Sequence, residues 1–278
     1  MKVGWNGAVV DETEARISPF DHGLLVGDGA FETIRVYRSV PFAWRRHYQR
    51  LVGSAGGLGL SVPSSDALRA ATDEVLEANA LSEGRLRLTI TGGPAPLGSE
   101  RGDAPPTIVI AATAMKPWPP SEAVVTAPWP RNERGATAGL KTISYAENVR
   151  ALAFARDHDA SEAMFCNTQG ALCEATGSNV FIVRGGRVIT PEAGSGCLLG
   201  VTRALVLELC ADEGLPVEER VVAPDELAAA DEAFLTSSTR EVQPISQVDS
   251  RQLPQVPGPV TQRLADAFRS LVERDLDP

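Results

Sequence analysis

Apolar and polar positions alternate with a period of two over residues 3–5 and 8–10, and Asn6-Gly7 between them has the turn chemistry of a tight hairpin. Residues 30–37 alternate in the same way and are rich in strand formers, with residues 41–44 as the expected hairpin partner. From Arg45 to Leu58 the spacing becomes helical, with Leu51, Ala55 and Leu58 on one face. A second helix is expected from a cap at Ser64 or Ser65 to about Asn79, followed by strands over residues 85–91 and 107–114. The stretch 92–106 between those strands is long for a plain connection, and loops of that length without structure of their own usually serve function.

Three prolines fall within residues 115–120, a stiff, extended connector and the best candidate for a domain boundary. Beyond it the pattern predicts a strand over 123–127, a helix opened by Ser144 with Glu147 in capping-box spacing, and a meander of short strands over 163–166, 172–176, 179–184 and 187–190. Glu174 falls inside one of these strands, a position where glutamate ordinarily faces solvent. Gly200-Val201-Thr202 opens an apolar-striped helix to about Gly214, residues 232–236 form a strand, and a last helix runs from about Pro259 to Asp275. The expected architecture is α/β in two domains: a small N-terminal one over 1–115, a linker over 116–120, and a larger C-terminal one over 121–278.

Composition narrows the partners. With 43% hydrophobic residues in 278 the chain can bury a substantial core, and a net charge of −10 with no basic run argues against nucleic acid. The start, Met-Lys-Val-Gly-Trp-Asn-Gly, lacks a signal-peptide apolar core, and no stretch is long enough for a membrane span, so a cytoplasmic protein with a small-molecule partner is expected. Cys166, Cys173, Cys197 and Cys210 have no metal-ligand or disulfide spacing and read as reduced thiols, and the three histidines are too scattered for a metal.

Lys2, Lys116 and Lys141 are the only lysines; every other basic residue is arginine. Lys141, among small and apolar residues, has the one chemistry arginine cannot supply: losing a proton and attacking a carbonyl. A lysine at a loop end can equally be a solvated surface residue. The helix start at Gly200-Val201-Thr202 presents unpaired N–H groups and a hydroxyl to an anion, and Thr236-Ser237-Ser238-Thr239-Arg240 adds hydroxyls and a cation where a strand ends. A lysine able to form an imine, an acid, an arginine and two hydroxyl-rich turns are what pyridoxal phosphate requires: a carbonyl partner, a carboxylate for the ring nitrogen, and donors for the phosphate.

In their order along the chain these motifs resemble the fold-type IV pyridoxal-phosphate enzymes, the class IV aminotransferases. The resemblance runs through Gly27-Asp-Gly-Ala-Phe-Glu-Thr-Ile-Arg35, His47-Tyr-Gln-Arg50-Leu51, Leu140-Lys141-Thr-Ile-Ser-Tyr145, Cys173-Glu174-Ala-Thr-Gly-Ser178-Asn179, Leu199-Gly-Val-Thr-Arg203 and Phe234-Leu-Thr-Ser-Ser-Thr-Arg-Glu-Val242. It implies a two-domain D-amino acid aminotransferase-like fold with pyridoxal 5'-phosphate at the domain junction. It further implies Lys141 as the Schiff-base lysine, Glu174 on the pyridine nitrogen, Arg50, Val201, Thr202, Ser237 and Ser238 around the phosphate, and Tyr145, Ser178 and Asn179 about the ring. Amino transfer from a D-amino acid, or also an (R)-amine, to a 2-oxo acid in a homodimer is the implied activity.

The family's alternative is the aminodeoxychorismate lyase, which releases pyruvate and 4-aminobenzoate and whose pattern Phe31 and Arg35 also match. D-Amino acid transaminases carry Tyr where Phe31 stands and Arg about where Gly92 stands, so the substrate carboxylate would be bound elsewhere, with Arg35, Arg101, Thr239 and Arg240 as candidates beside Phe31. A third reading, a non-catalytic protein that binds pyridoxal phosphate or phosphate, requires an inert Lys141.

Overall fold

A computed structural model describes residues 1–278 and divides them into two compact units. The first comprises residues 1–116, 140–145 and 275–278, the second residues 117–139 and 146–274.

In the first unit, β1 (Lys2–Trp5) and β2 (Ala8–Asp11) form the expected hairpin, with Asn6 and Gly7 both at positive φ. A short helix, α1 (His22–Val26), capped by the Asp21 carboxylate and closed by a left-handed Gly27, occupies a stretch that reads in the sequence as a glycine-rich loop. Then come β3 (Gly29–Tyr37), β4 (Val40–Pro41), α2 (Trp44–Gly57), α3 (Ser65–Ala78), β5 (Gly84–Thr91) and β6 (Ile108–Thr113). The expected hairpin partner over 41–44 is cut short, because Trp44 already opens α2 and only Val40 and Pro41 pair with β3. The Ser64 hydroxyl caps α3 by accepting from Ala67 N–H at 3.3 Å. The six strands form one antiparallel sheet in the order β2-β1-β6-β5-β3-β4. Ile34, Val36, Leu86, Leu88 and Ile110 of its strands pack with Leu51 and Ala55 of α2 and Leu68, Val75 and Leu76 of α3 into one core.

Residues 140–145 also belong to this unit, although the sequence places them in the C-terminal domain. Phe31 N–H donates to Lys141 O at 3.1 Å and Ile143 N–H to Gly29 O at 2.9 Å, so the segment lies antiparallel along the start of β3. Ser144 is used differently from its expected role as a helix cap: its hydroxyl donates to Gly27 O at 2.8 Å, and the following helix begins at Ala146.

The second unit contains β7 (Glu122–Thr126), α4 (Ala146–Arg156), β8 (Glu162–Cys166), β9 (Leu172–Ala175), β10 (Asn179–Arg184), β11 (Arg187–Pro191), α5 (Val201–Asp212), β12 (Val217–Arg220), α6 (Pro224–Ala228), β13 (Glu232–Ser237), β14 (Glu241–Val248), β15 (Arg251–Gln252) and α7 (Pro259–Arg274). Its mixed sheet runs β12-β11-β10-β13-β14-β7-β8-β9, with β15 on β14. The expected meander is interrupted, since β10 pairs with β11 and β13 rather than with β9. The four cysteines are free thiols, three of them buried.

Phe181 and Phe234, both fully buried on the paired strands β10 and β13, stack with centroids 4.9 Å apart. Phe234→Ala removes that ring from a close-packed interior and should destabilise the protein by about 3–5 kcal/mol. Denaturant unfolding checks this; a loss below about 1 kcal/mol would show that the site collapses around the truncation.

Candidate active site

The docked segment places the Lys141 side chain on the start of β3, where its Nζ lies 4.2 Å from the centre of the Phe31 ring. The backbone on either side is held: Lys141 N–H donates to Ser54 Oγ of α2 at 3.0 Å, and Lys141 O accepts from Phe31. Tyr145, the last residue of the segment, meets Phe31 edge-on at 5.3 Å. A second cation shares the ring. Arg87, which projects from β5 next to β3, sets its guanidinium 3.7 Å from the Phe31 centroid, and its hydrogen-bond partner is a hydroxyl, Thr89 Oγ1 at 3.2 Å. Arg87 is exposed along its strand, and the partial desolvation of its guanidinium against the ring lowers its pKa from the ordinary arginine value, with Tyr145 acting in the opposite sense.

Directly after Phe31, Glu32 points the other way into the core and is fully buried. Arg50 of α2 grips it through Nε at 2.8 Å and Nη2 at 2.7 Å, and His47, one turn earlier, contacts it through Nδ1 at 2.7 Å. Burial would raise the Glu32 carboxyl, but Arg50 and His47 outweigh it and bring it down to about 2. His47 is itself pushed down by burial, against the opposing pull of Glu32, and its Nδ1 lies 2.7 Å from the carboxylate. Arg50 is thereby oriented by a buried carboxylate; the spacing of Glu32, His47 and Arg50 across a strand and a helix is not a recognisable motif.

The other nominated arginines are engaged elsewhere. Arg35 reaches Gly84 O and Glu83 and lies over Tyr37. Arg101, on the 92–106 loop, binds Asp28 through Nε at 2.7 Å and Nη2 at 2.6 Å, while His22 Nδ1 lies 2.9 Å from the same carboxylate. This pair also explains Gly92, where a Cβ would lie 2.5 Å from Asp28 Oδ2, leaving no room for an arginine side chain. Arg240 is buried with Glu122, Glu162, Gln243 and Trp118. Thr239, half-buried, stands next to it.

In the second unit Glu174 projects from β9 and accepts from Leu198 N–H at 2.9 Å, and Arg131 Nη2 lies 3.8 Å from its other oxygen. The Arg131 Nε and Nη2 are buried without a hydrogen-bond partner. Asn179, at the start of β10, donates to Leu198 O at 2.7 Å and packs so closely on Gly200 that a Cβ there would overlap its Oδ1. Glu174 and Asn179 therefore hold the same short stretch that opens α5. That helix begins at Val201 and Thr202 without a side-chain cap, leaving its first N–H groups and its positive dipole end for a ligand. Thr236 stands opposite Asn179 in the β10–β13 ladder, on the same face, and its hydroxyl is buried without a partner. Ser237 Oγ accepts from Arg240 N–H at 3.3 Å, Ser238 follows it, and the Ser178 hydroxyl donates to Glu162 at 2.8 Å.

An uncapped helix start beside an orphaned hydroxyl fits an anion such as a phosphate, and a carboxylate backed by a guanidinium fits a protonated ring nitrogen. Residues 29–248 match the family model of amino-transferase class IV. The chain belongs to the class IV aminotransferases. Pyridoxal 5'-phosphate is therefore its cofactor, and an amino donor and a 2-oxo acid are its substrates. Similar proteins in this family differ in activity. The D-alanine aminotransferase of Bacillus licheniformis is 32% identical, with 98% of this chain and 97% of that protein aligned. The aminodeoxychorismate lyase of Bacillus subtilis is also 32% identical, over 88% of this chain and 85% of that protein. The branched-chain aminotransferase of the thermophilic archaeon Thermoproteus uzoniensis, in a structure with norvaline, superposes with TM-score 0.91 and 31% identity over 98% of this chain and 94% of that one.

Sequence reasoning missed Arg87 and Arg131 in this class IV aminotransferase. Arg87 lies one pleat away from Leu86 and Leu88, and in the sequence it reads as the outward residue of an alternating strand. The pH dependence of the Glu32 network is directly testable. A carboxyl whose ordinary value of 4.5 falls to about 2 on folding contributes stability above 4.5 that is lost as pH falls through 2. The unfolding free energies of wild type and Glu32→Gln should differ most above pH 4.5 and converge on acidification towards pH 2; a difference independent of pH would contradict an ionised Glu32.

Proposed function

We propose that this class IV aminotransferase moves the amino group of a D-amino acid to a 2-oxo acid, with Arg87 receiving the substrate carboxylate. The observation that carries the carboxylate assignment is the pairing of Lys141 and Arg87 on Phe31, with no acid facing the guanidinium. The D-preference is supported by the end-to-end match to a D-alanine aminotransferase and by the motif spacing. Pyridoxal phosphate bound to the protein supplies the electron sink that makes the donor's Cα proton acidic. Lys141 is proposed as its covalent partner and as the base whose Nζ takes that proton and later returns it. Its tether between Ser54 and Phe31 restricts where the amine can reach. Glu174, backed by Arg131, is proposed to hold the pyridine nitrogen protonated. Arg50, Val201, Thr202, Ser237 and Ser238 would take the phosphate, and Tyr145, Ser178 and Asn179 would flank the ring.

Lys141→Ala should abolish transamination with every donor while cofactor still binds through the phosphate contacts. For Arg87→Met, KM for D-alanine should rise by at least about tenfold, since a bidentate carboxylate contact is worth about 2 kcal/mol or more. An (R)-amine, which has no carboxylate, should be little affected. Equal losses with both donors would remove Arg87 from the carboxylate site. The lyase reading is favoured by Phe31 in place of Tyr and by the Bacillus subtilis relative; it replaces the transaminase reading if aminodeoxychorismate is cleaved while no D-amino acid supports transfer.

A homodimer belongs to the same proposal. Ile17, Phe20, Leu24, Leu25, Val26 and Leu97 are exposed on the first unit, and Ala95 N–H bonds Phe20 O at 3.0 Å, so the two segments that carry them run side by side. Sedimentation should show a dimer for the wild type and a shift to monomer for Leu24→Glu combined with Leu97→Glu. A wild-type monomer with full activity would refute the assembly.

A further inference from the structure

Glu162 is a buried carboxylate with no part in the roles assigned above. It opens β8 at 4% exposure, accepts from three donors and pairs with one guanidinium. The three donors come from consecutive residues of the turn between β9 and β10: the Thr176 hydroxyl, Gly177 N–H at 2.8 Å and the Ser178 hydroxyl at 2.8 Å. The ion pair is with Arg240, whose Nε lies 3.1 Å from Glu162 Oε1. Arg240 is itself immobilised. Its Nη1 lies 3.3 Å from Glu122 Oε1 and also contacts Gln243 Oε1, and its guanidinium stacks 3.8 Å from the centre of the Trp118 ring. Gln243 then donates to Pro119 O at 2.8 Å, so the cluster reaches from the connector through β7, β8 and β14.

The two turns tied together in this way are the ones that carry site residues. The first separates Glu174 from Asn179, and the second begins at Ser237, whose hydroxyl accepts from Arg240 N–H. Asn179 and Thr236 are cross-strand partners, so the two turns stand side by side at one end of the sheet. A buried carboxylate gains most when every lone pair is met, and losing one donor leaves a desolvated charge unsatisfied. The turn geometry and the carboxylate therefore depend on each other.

We propose that Glu162 is a positioning residue: by clamping three consecutive donors of the β9–β10 turn to Arg240 of the β13–β14 turn, it sets Glu174, Asn179 and Ser237 in one arrangement for the cofactor. This rests on the pyridoxal-phosphate reading of the site. Thr176 is the informative partner, because it touches the clamp and has no proposed contact with cofactor.

The test uses purified holoenzyme of wild type, Glu162→Gln, Thr176→Val, Thr176→Ser and the Glu162→Gln/Thr176→Val double variant. Cofactor loss is followed by the decay of its visible absorbance and circular dichroism, and the unfolding midpoint of each cofactor-free protein is measured in parallel. Glu162→Gln and Thr176→Val should each speed cofactor loss by about tenfold, the equivalent of one charge-assisted hydrogen bond. The double variant should lose cofactor no more than about twice as fast as the worse single variant, since residues acting through one network are not additive. Thr176→Ser, which restores the hydroxyl, should return wild-type retention. The unfolding midpoints of the Thr176 variants should stay within about 4 °C of wild type. The clamp is overturned if Thr176→Val holds cofactor as wild type does, if the double effect is the product of the single ones, or if Thr176→Ser is as impaired as Thr176→Val. Should Glu162→Gln fail to fold, the two Thr176 variants decide alone. A wild-type protein that takes up no cofactor overturns the pyridoxal-phosphate reading itself.

Discussion

The antiparallel docking of residues 140–145 along the start of β3 is the constraint on which the Lys141 cluster depends. Two backbone hydrogen bonds, Phe31 N–H to Lys141 O and Ile143 N–H to Gly29 O, set the register, and Ser54 holds the Lys141 N–H from the helix side. A slip by one residue would turn every side chain of the segment to the opposite face and take the amine away from Phe31. Phe31 and Glu32 then divide the work of β3 by alternation: one faces Lys141, Arg87 and Tyr145, while the other faces inward to Arg50 and His47.

Both units solve one electrostatic problem in the same way. A carboxylate is buried beside residues proposed to bind the cofactor, and arginine supplies the compensating charge with a planar fork. Glu32 takes Arg50 and His47; Glu162 takes Arg240 and three donors from a turn. Buried ion pairs of this kind are poor sources of net stability, because desolvation offsets attraction, yet they specify geometry strongly since neither partner can leave without stranding the other. That suits residues whose orientation matters more than their contribution to folding.

Much of the local structure is legible from period and caps. The Asn6-Gly7 hairpin, α2, α3 with its Ser64 cap, and α5 opening at Val201 follow from turn chemistry and helical spacing alone. The misses share a cause, which is that a residue's partner lies far away in sequence. Ser144 has capping-box spacing to Glu147, but a carbonyl at Gly27 claims its hydroxyl. Short strands in succession read as a meander, yet β10 finds β13, some fifty residues on, a better neighbour than β9. Arg101 reads as a candidate carboxylate binder on a long loop and is instead closed on Asp28, while Arg87 is exposed on its alternating strand and still lies over the Phe31 ring of the neighbouring strand.

The measurement that tests the placement of Lys141 most directly is chemical. The protein reconstituted with pyridoxal phosphate is treated with borohydride, digested, and mapped by mass spectrometry for the reduced cofactor adduct. With three lysines in the chain the outcome is unambiguous. Stoichiometric label on Lys141 alone is expected, with loss of activity in proportion to labelling. Label on Lys2 or Lys116, or a reduced and unlabelled protein that keeps its activity, would contradict it.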